Sequence, residues 1–239
     1  MAQFFDCSIC GAPVELPLAH TTICDCPYCG RSVQVPAALN PYLSRGKLLQ
    51  RVDFNDPRLP GWEQVHPENQ KLVPGNPVEL QANYPPSDLV HYILKTSGFF
   101  EDLDAAVTIR FLEGDCGLIS AGMFLRYQDG SGGYCILISA QSSYVLGCYE
   151  TPPGGELVWK TIMDWKSHSA LLAGLNQSNR VRMVALGSHL KVYLNEMLAT
   201  SIRDDLYQKG QFHLAAEPGN KSSISVAFSN LELREPVED

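Results

Sequence analysis

The chain has 239 residues, an apolar fraction of 45%, a charged fraction of 18% and a formal net charge of −8. This is the balance of a folded globular protein rather than a disordered one. The acidity argues against nucleic acid or an anionic membrane as the main partner. The first residues lack the basic start and apolar core of a secretory leader, and no run approaches the ~20 apolar residues of a membrane span.

The first element is set by cysteine spacing. Cys7-Ser-Ile-Cys10-Gly11 is followed by Cys26-Pro-Tyr-Cys29-Gly30, with fifteen residues between Cys10 and Cys26. A Cys-x-x-Cys turn aims two thiolates at one ion, and four thiolates complete the closed tetrahedral shell of a structural zinc. The glycine after each pair suits a turn that needs positive φ. Cys7, Cys10, Cys26 and Cys29 are therefore expected to hold one zinc ion per chain, with a rubredoxin-like iron site as the competing metal. Cys24, two residues before Cys26, makes a poor knuckle and reads as a neighbour rather than a ligand. Residues 1–40 form the expected zinc ribbon, with short strands after each knuckle at 12–18 and 31–35. Val14, Leu16, Val33 and Val35 are expected to pack against the metal site. Arg31 is the single cation among the first 44 residues, against Asp6, Glu15 and Asp25, so the basic surface of a nucleic-acid-binding ribbon is missing. Eight cysteines, half of them in a metal site, point to a reducing compartment and hence to the cytoplasm.

Residues 41–47 read as a linker, and from residue 48 to 236 the pattern has period two. A strand at 48–54 is followed by a turn-rich loop that ends at Trp62, expected to close one end of the fold. Strands are expected at 78–81, 90–96, 106–112, 118–127, 133–140, 144–149, 157–163, 180–186, 189–195, 198–202, 211–216 and 223–233. Val107, Ile109 and Phe111 alternate with Thr108 and Arg110. No long helix is expected, and 169–175 offers at most a single turn. A dozen strands without repeats or crossover helices imply a mostly β protein, a sandwich of two antiparallel sheets behind the ribbon.

Several landmarks resemble a known family. Asp53-Phe54-Asn55-Asp56-Pro57 with Gly61-Trp62 resembles the opening of concanavalin A-like jelly rolls. The stretch from Ala121 to Gly130, followed by Gly133-Tyr-Cys-Ile-Leu-Ile138, resembles their central hairpin. Asn179 to Val184, Leu190 to Asn195, Gly210 to Ala215 and Ser229 to Leu233 resemble the later strands. The pattern is most similar to laminin-G-like and 3-keto-disaccharide-hydrolase-like domains and covers about three quarters of the chain. That family contains sugar binders and glycosidases. Its glucanase branch carries Glu-x-Asp-x-x-Glu on one strand. Here Glu101-Asp102-Leu103-Asp104 runs into Ala105 and Ala106, and Glu232 and Glu235 have the wrong spacing. The glucanase mechanism therefore has no residues to run it.

Aromatic rings stack on the CH faces of sugars. Tyr127, Tyr134, Tyr149, Trp159 and Trp165, on or near central strands, are the candidate ligand-binding residues; the competing reading makes them core filling. Asp53, Asn55 and Asp56 fit a loop calcium site, as in relatives of the fold, or an Asx turn before Pro57, and the turn is the favoured reading. A hairpin turning at Gln141-Ser142 would set Cys135 opposite Cys148, close enough to bridge on oxidation but expected to be two thiols. Cys116 lies in a turn without an evident partner. The tips at 128–133 and 150–156 read as specificity loops or plain turns. The resulting expectation is a non-catalytic, lectin-like recognition module. Its sandwich binds a glycan or a protein surface, and its ribbon serves as a structural or docking element. A structural component of a larger cytoplasmic assembly and a glycoside-acting hydrolase are the alternatives.

Overall fold

The computed structural model describes residues 4–15, 23–35, 45–52, 54–152 and 154–237. They fall into two compact units, Met1–Gly46 and Lys47–Glu238.

The N-terminal unit is two small hairpins. β1 (Phe4–Asp6) pairs antiparallel with β2 (Pro13–Glu15), and β3 (Ile23–Asp25) with β4 (Ser32–Gln34). Each knuckle thus has a strand on both sides rather than only after it. The hairpins are copies: Asp6, Cys7, Cys10, Gly11 and Val14 recur as Asp25, Cys26, Cys29, Gly30 and Val33. Phe5, Val14, Val33 and Val35 are buried with Cys7 and Cys26 in one small core. Leu16, Leu18 and most of the expected linker lie outside the described residues.

The second unit is a sandwich. Its strands are β5 (Leu48–Arg51), β6 (Trp62–Gln64), β7 (Gln70–Val73), β8 (Glu79–Tyr84), β9 (His91–Thr96), β10 (Leu103–Glu113), β11 (Ser120–Gln128) and β12 (Gly132–Ser139). They continue as β13 (Ser143–Glu150), β14 (Val158–Ser167), β15 (Ser178–Leu186), β16 (His189–Leu194), β17 (Met197–Arg203), β18 (Gln211–Glu217) and β19 (Ile224–Arg234). An eight-stranded sheet has the order β17-β16-β15-β10-β19-β8-β7, with β5 also on β19. A seven-stranded sheet has the order β14-β13-β12-β11-β18-β9-β6. Every pairing is antiparallel. Among the described residues the helical content is one 3₁₀ turn at Pro67–Asn69, and no helix is long and apolar enough to cross a membrane.

Alternation builds the core. Leu103, Ala105, Val107, Ile109 and Phe111 of β10 meet Ala121, Met123 and Leu125 of β11, Ile136 and Ile138 of β12, and Phe212 and Leu214 of β18. The hydroxyl of Tyr144 crosses between the sheets and donates to the Ala199 carbonyl at 3.0 Å. Trp62 is not a lid: it is a buried residue of β6, its ring edge-on to Phe212 at 5.8 Å.

The β12–β13 register departs from the expected one. Tyr134 pairs with Cys148 and Cys135 with Gly147, because the turn holds three residues, with Ser142 at φ 58. A one-residue shift reverses the face of every side chain. Cys148 therefore points into the core and Cys135 away from it, so these thiols cannot bridge. Cys116 sits in the turn beside Asp115 and packs partly against the core.

Candidate functional site: a four-thiol cluster and an aromatic sheet face

The thiols of Cys7, Cys10, Cys26 and Cys29 all lie within 4.8 Å of one another. Sγ of Cys7 is 3.9 Å from Sγ of Cys29, and Sγ of Cys10 is 3.7 Å from Sγ of Cys26. Four sulfurs at the ~2.3 Å bond length of zinc, set tetrahedrally, stand about 3.8 Å apart, so donor type and spacing fit the ion. The two knuckles share one backbone design. Gly11 N–H donates to the Cys7 carbonyl and Cys7 N–H to Ala12, and Gly30 and Cys26 repeat both bonds, with Gly11 at φ 73 and Gly30 at φ 66. Backbone N–H groups of Cys10 and then Ile9 draw the Cys7 thiol down to about 7. Cys10, despite a backbone bond from Ala12, is pushed up to about 12 by lost solvation and the neighbouring thiols. Thiols so crowded cannot all ionise unless a cation lies among them. Cys24 pairs with Val33 as Phe5 does with Val14, and it packs at the edge of the small core. Its position is that of a core residue.

The two outer faces of the sandwich differ in chemistry. On the eight-stranded sheet the outward residues are a ladder of charges. Arg182 is held by Asp104 at 2.8 and 3.0 Å and lies over Tyr193, and Arg110 is held by Glu79 at 2.6 Å. Arg51 and Arg234 share Glu232. Asp104, the residue nearest in sequence to a glucanase-type motif, is thus a buried ion-pair partner on this sheet.

The seven-stranded sheet turns outward an apolar cluster made of Phe124, Tyr127, Cys135, Leu137, Val145 and Ala215, with Val90, Tyr92, Tyr149 and Trp159 packed against it. Phe124 is its centre: the rings of Tyr92, Tyr127 and Tyr149 surround it with centroids at 5.4, 5.5 and 5.8 Å. Trp159 stands edge-on to Tyr149 at 5.2 Å. Strand pairing arranges this row, since Tyr149 is opposite Trp159 across β13 and β14 and Gly133 across β12. Gly147 makes room for the indole; a Cβ there would lie 2.3 Å from the Trp159 ring. Tyr92, Tyr149 and Trp159 are half-buried, while Phe124 and Tyr127 beneath them are buried.

A bulge puts Tyr127 on this face. Strict alternation would turn Arg126 outward and Tyr127 inward. Arg126 instead adopts φ 55, and the register shifts on both sides of β11. Its buried guanidinium donates to the carbonyls of Glu101 and Tyr207 and to Asp102, at 2.6, 2.9 and 3.2 Å. β18 adds Gln211, His213, Ala215 and Glu217 to the face, opposite Tyr127, Phe124, Gly122 and Ser120. Ser120 donates its hydroxyl to Glu217 at 2.8 Å. His213 lies against Tyr127 and Tyr92, with centroids at 4.6 and 5.2 Å, and burial pushes it down to about 4. The tips after β11 and β13 are tied at the same end: Thr151 donates to the Gly130 carbonyl, and the Tyr207 hydroxyl sits within 2.8 Å of the Ser131 and Tyr149 carbonyls.

Of the five candidate rings, the fold gathers three, Tyr127, Tyr149 and Trp159. Tyr134 is a correction: it is 0% exposed and faces the core, its hydroxyl donating to Asp204 and accepting from Tyr207 N–H. Burial excludes it as a sugar platform. Trp165 is 44% exposed, but it lies farther along β14, past the register shifts, and is not part of the cluster. Sequence reading missed Tyr92, Phe124 and His213; the alternation of Gln211, His213, Ala215 and Glu217 with Phe212, Leu214 and Ala216 was the available signal. Of the loop acids, Asp53 lies outside the described residues. Asp56 accepts from Arg58 N–H at 3.1 Å and from its guanidinium at 2.9 and 2.7 Å, an Asx turn closed by an ion pair.

No protein-family model matches the chain, and no curated protein matches its sequence. Solved structures match in fold. A carbohydrate binding module (CBM66) from Bacillus subtilis is 17% identical with a TM-score of 0.52, covering 73% of this chain and 96% of its own. The β-glucanase of Bacillus licheniformis is 12% identical with a TM-score of 0.59, covering 80% and 99%. A Bacillus subtilis protein of unknown function with a galectin-like fold is 12% identical with a TM-score of 0.55, covering 82% and 99%. At this identity the likeness concerns the backbone alone, and it agrees with the two-sheet topology: the second unit is a concanavalin A-like β-sandwich.

Proposed function

We propose that this chain recognises a glycan on the outer face of its seven-stranded sheet, without cleaving it, and that Cys7, Cys10, Cys26 and Cys29 hold one structural zinc ion. The observation that carries the reading is the contrast between the two outer faces. One is saturated with ion pairs, and the other presents half-buried Tyr92, Tyr149 and Trp159 on an aromatic bed. Rings held this way cover apolar CH faces of a sugar, while Glu217, Gln211 and the tied loop tips supply polar contacts. Solved structures of the same fold that include a carbohydrate binding module support it. Hydrolysis needs two carboxyl groups about 5–9.5 Å apart across the bond. Glu217 and Glu63 are carboxylates that β18 and β6 bring to this face, and they are already engaged by Ser120 and Lys95. A bound zinc ion would close the two hairpins on each other and supply the folding energy that so small a core lacks.

The test is a glycan array followed by titration of the best ligand, read by tryptophan fluorescence. Trp159→Ala is expected to weaken binding at least tenfold and Trp165→Ala to leave it unchanged. Equal affinity in both variants, or release of reducing sugar by the wild-type chain, would sink the reading.

A further inference from the structure

His213 is 2% exposed, and neither of its ring nitrogens has a hydrogen-bond partner. An unpaired buried polar group is costly, so such groups call for an explanation. The surroundings give the imidazole no structural task. Its neighbours across the strands are Phe124 and Lys95, its ring neighbours are Tyr92 and Tyr127, and Lys95 turns its ammonium to Glu63 at 3.3 Å. Phenylalanine would fill the same place without the penalty. The imidazole is also placed where the glycan reading needs a polar group, in the middle of a largely aromatic face. The ring edge-on to it, Tyr92, is half-buried, and its hydroxyl bonds to that of Tyr127 at 2.9 Å. Tyr92 is thus the half-buried ring whose rotation would open the imidazole, at the cost of that one bond.

We infer that His213 is the specificity residue of the aromatic face, hydrogen-bonding a hydroxyl of a neutral sugar once Tyr92 swings aside. The inference rests on the glycan reading and deepens it. A neutral imidazole offers one donor and one acceptor, and a sugar hydroxyl matches either. An anionic sugar gains less, because the cation beside the imidazole, Lys95, is already paired with Glu63, and Asp129 and, farther along the strand, Glu217 repel a carboxylate or sulfate. The site therefore selects uncharged glycans and pays for that selectivity with stability.

The experiment uses the full zinc-loaded chain and a panel of neutral gluco-, xylo-, fructo- and galacto-oligosaccharides, with uronic-acid oligomers beside them. Wild type and His213→Phe are compared in affinity and melting temperature, with ¹⁵N shifts of the imidazole followed on titration. The expected result is a His213→Phe variant that melts higher yet binds the neutral sugar at least tenfold more weakly, partial recovery in His213→Gln, and a shift of one imidazole nitrogen on binding. A His213→Phe variant that binds as well as wild type, or an imidazole that does not respond to bound sugar, would overturn the inference while leaving the glycan reading intact. Binding of no sugar by the wild type would overturn both.

Discussion

At the residue scale, the aromatic face depends on a missing side chain and on a buried one. Gly147 leaves the gap in which the Trp159 indole lies, and the alternative conformations of that ring are limited by Tyr149 beside it. Gly147→Ala is expected to push the indole off the sheet, weakening sugar binding at least tenfold and costing about 1–3 kcal/mol of stability; fluorescence of Trp159 and a denaturant midpoint check both. His213 makes a pH prediction. Burial is the main cause of its lowered value of about 4, with Asp129 pulling it up and Lys95 down, against 6.5 for the free side chain. Between those values the unfolded chain binds more protons than the folded one, so stability falls as pH drops from 6.5 to 4 and levels off below. The total is about 3 kcal/mol. Denaturation of wild type and His213→Phe across this window should show a steeper slope in the first than in the second. Parallel curves would contradict the assignment.

At the element scale, most of the sandwich was legible and its registers were not. All twelve strands expected from period-two alternation between residues 78 and 233 are present, because each buries one face in a common core. β6 and β7 were missed, being three or four residues long with too little alternation to register. The turn between β12 and β13 was read one residue short, and that alone placed Cys135 and Cys148 on the same face. The bulge at Arg126 has no signature in local composition; it exists because the guanidinium has two carbonyls and a carboxylate to bind across the sheet end. Arg126→Met is expected to strand the Glu101 and Tyr207 carbonyls and cost about 1–3 kcal/mol. Tyr127 should lose its place beside Phe124, so sugar binding should fall as well. A denaturant midpoint within error of wild type would show that the bulge does not depend on the arginine.

At the scale of the whole molecule, the two units are expected to draw stability from different sources, a metal in the first and a large core in the second. The cysteine spacing announced the first unit because metal geometry restricts sequence tightly, whereas the aromatic face is assembled from strands distant in sequence. Tyr149 and Trp159 were legible as rings on strands, although β14, which carries Trp159, is an edge strand and not a central one. Their bed of Phe124, Tyr92 and His213 became apparent only once strand order was known. The Phe5, Val14, Val33 and Val35 core is too small to fold a hairpin pair unaided. Chelation is therefore expected to release one zinc per chain and to raise hydrogen exchange in residues 4–15 and 23–35, leaving exchange in the sandwich strands unchanged. Retained protection in 4–15 and 23–35 after metal removal would argue against a zinc-dependent unit.

One outer face of the sandwich, and not the other, is proposed to meet a glycan. Hydroxyl-radical footprinting with the tightest array ligand tests it at side-chain level. Protection of Tyr149 and Trp159 is expected, with Trp165 and Tyr193 labelled as in the free chain. Protection of Tyr193 on the charged sheet, or full labelling of Trp159 in the saturated complex, would contradict it.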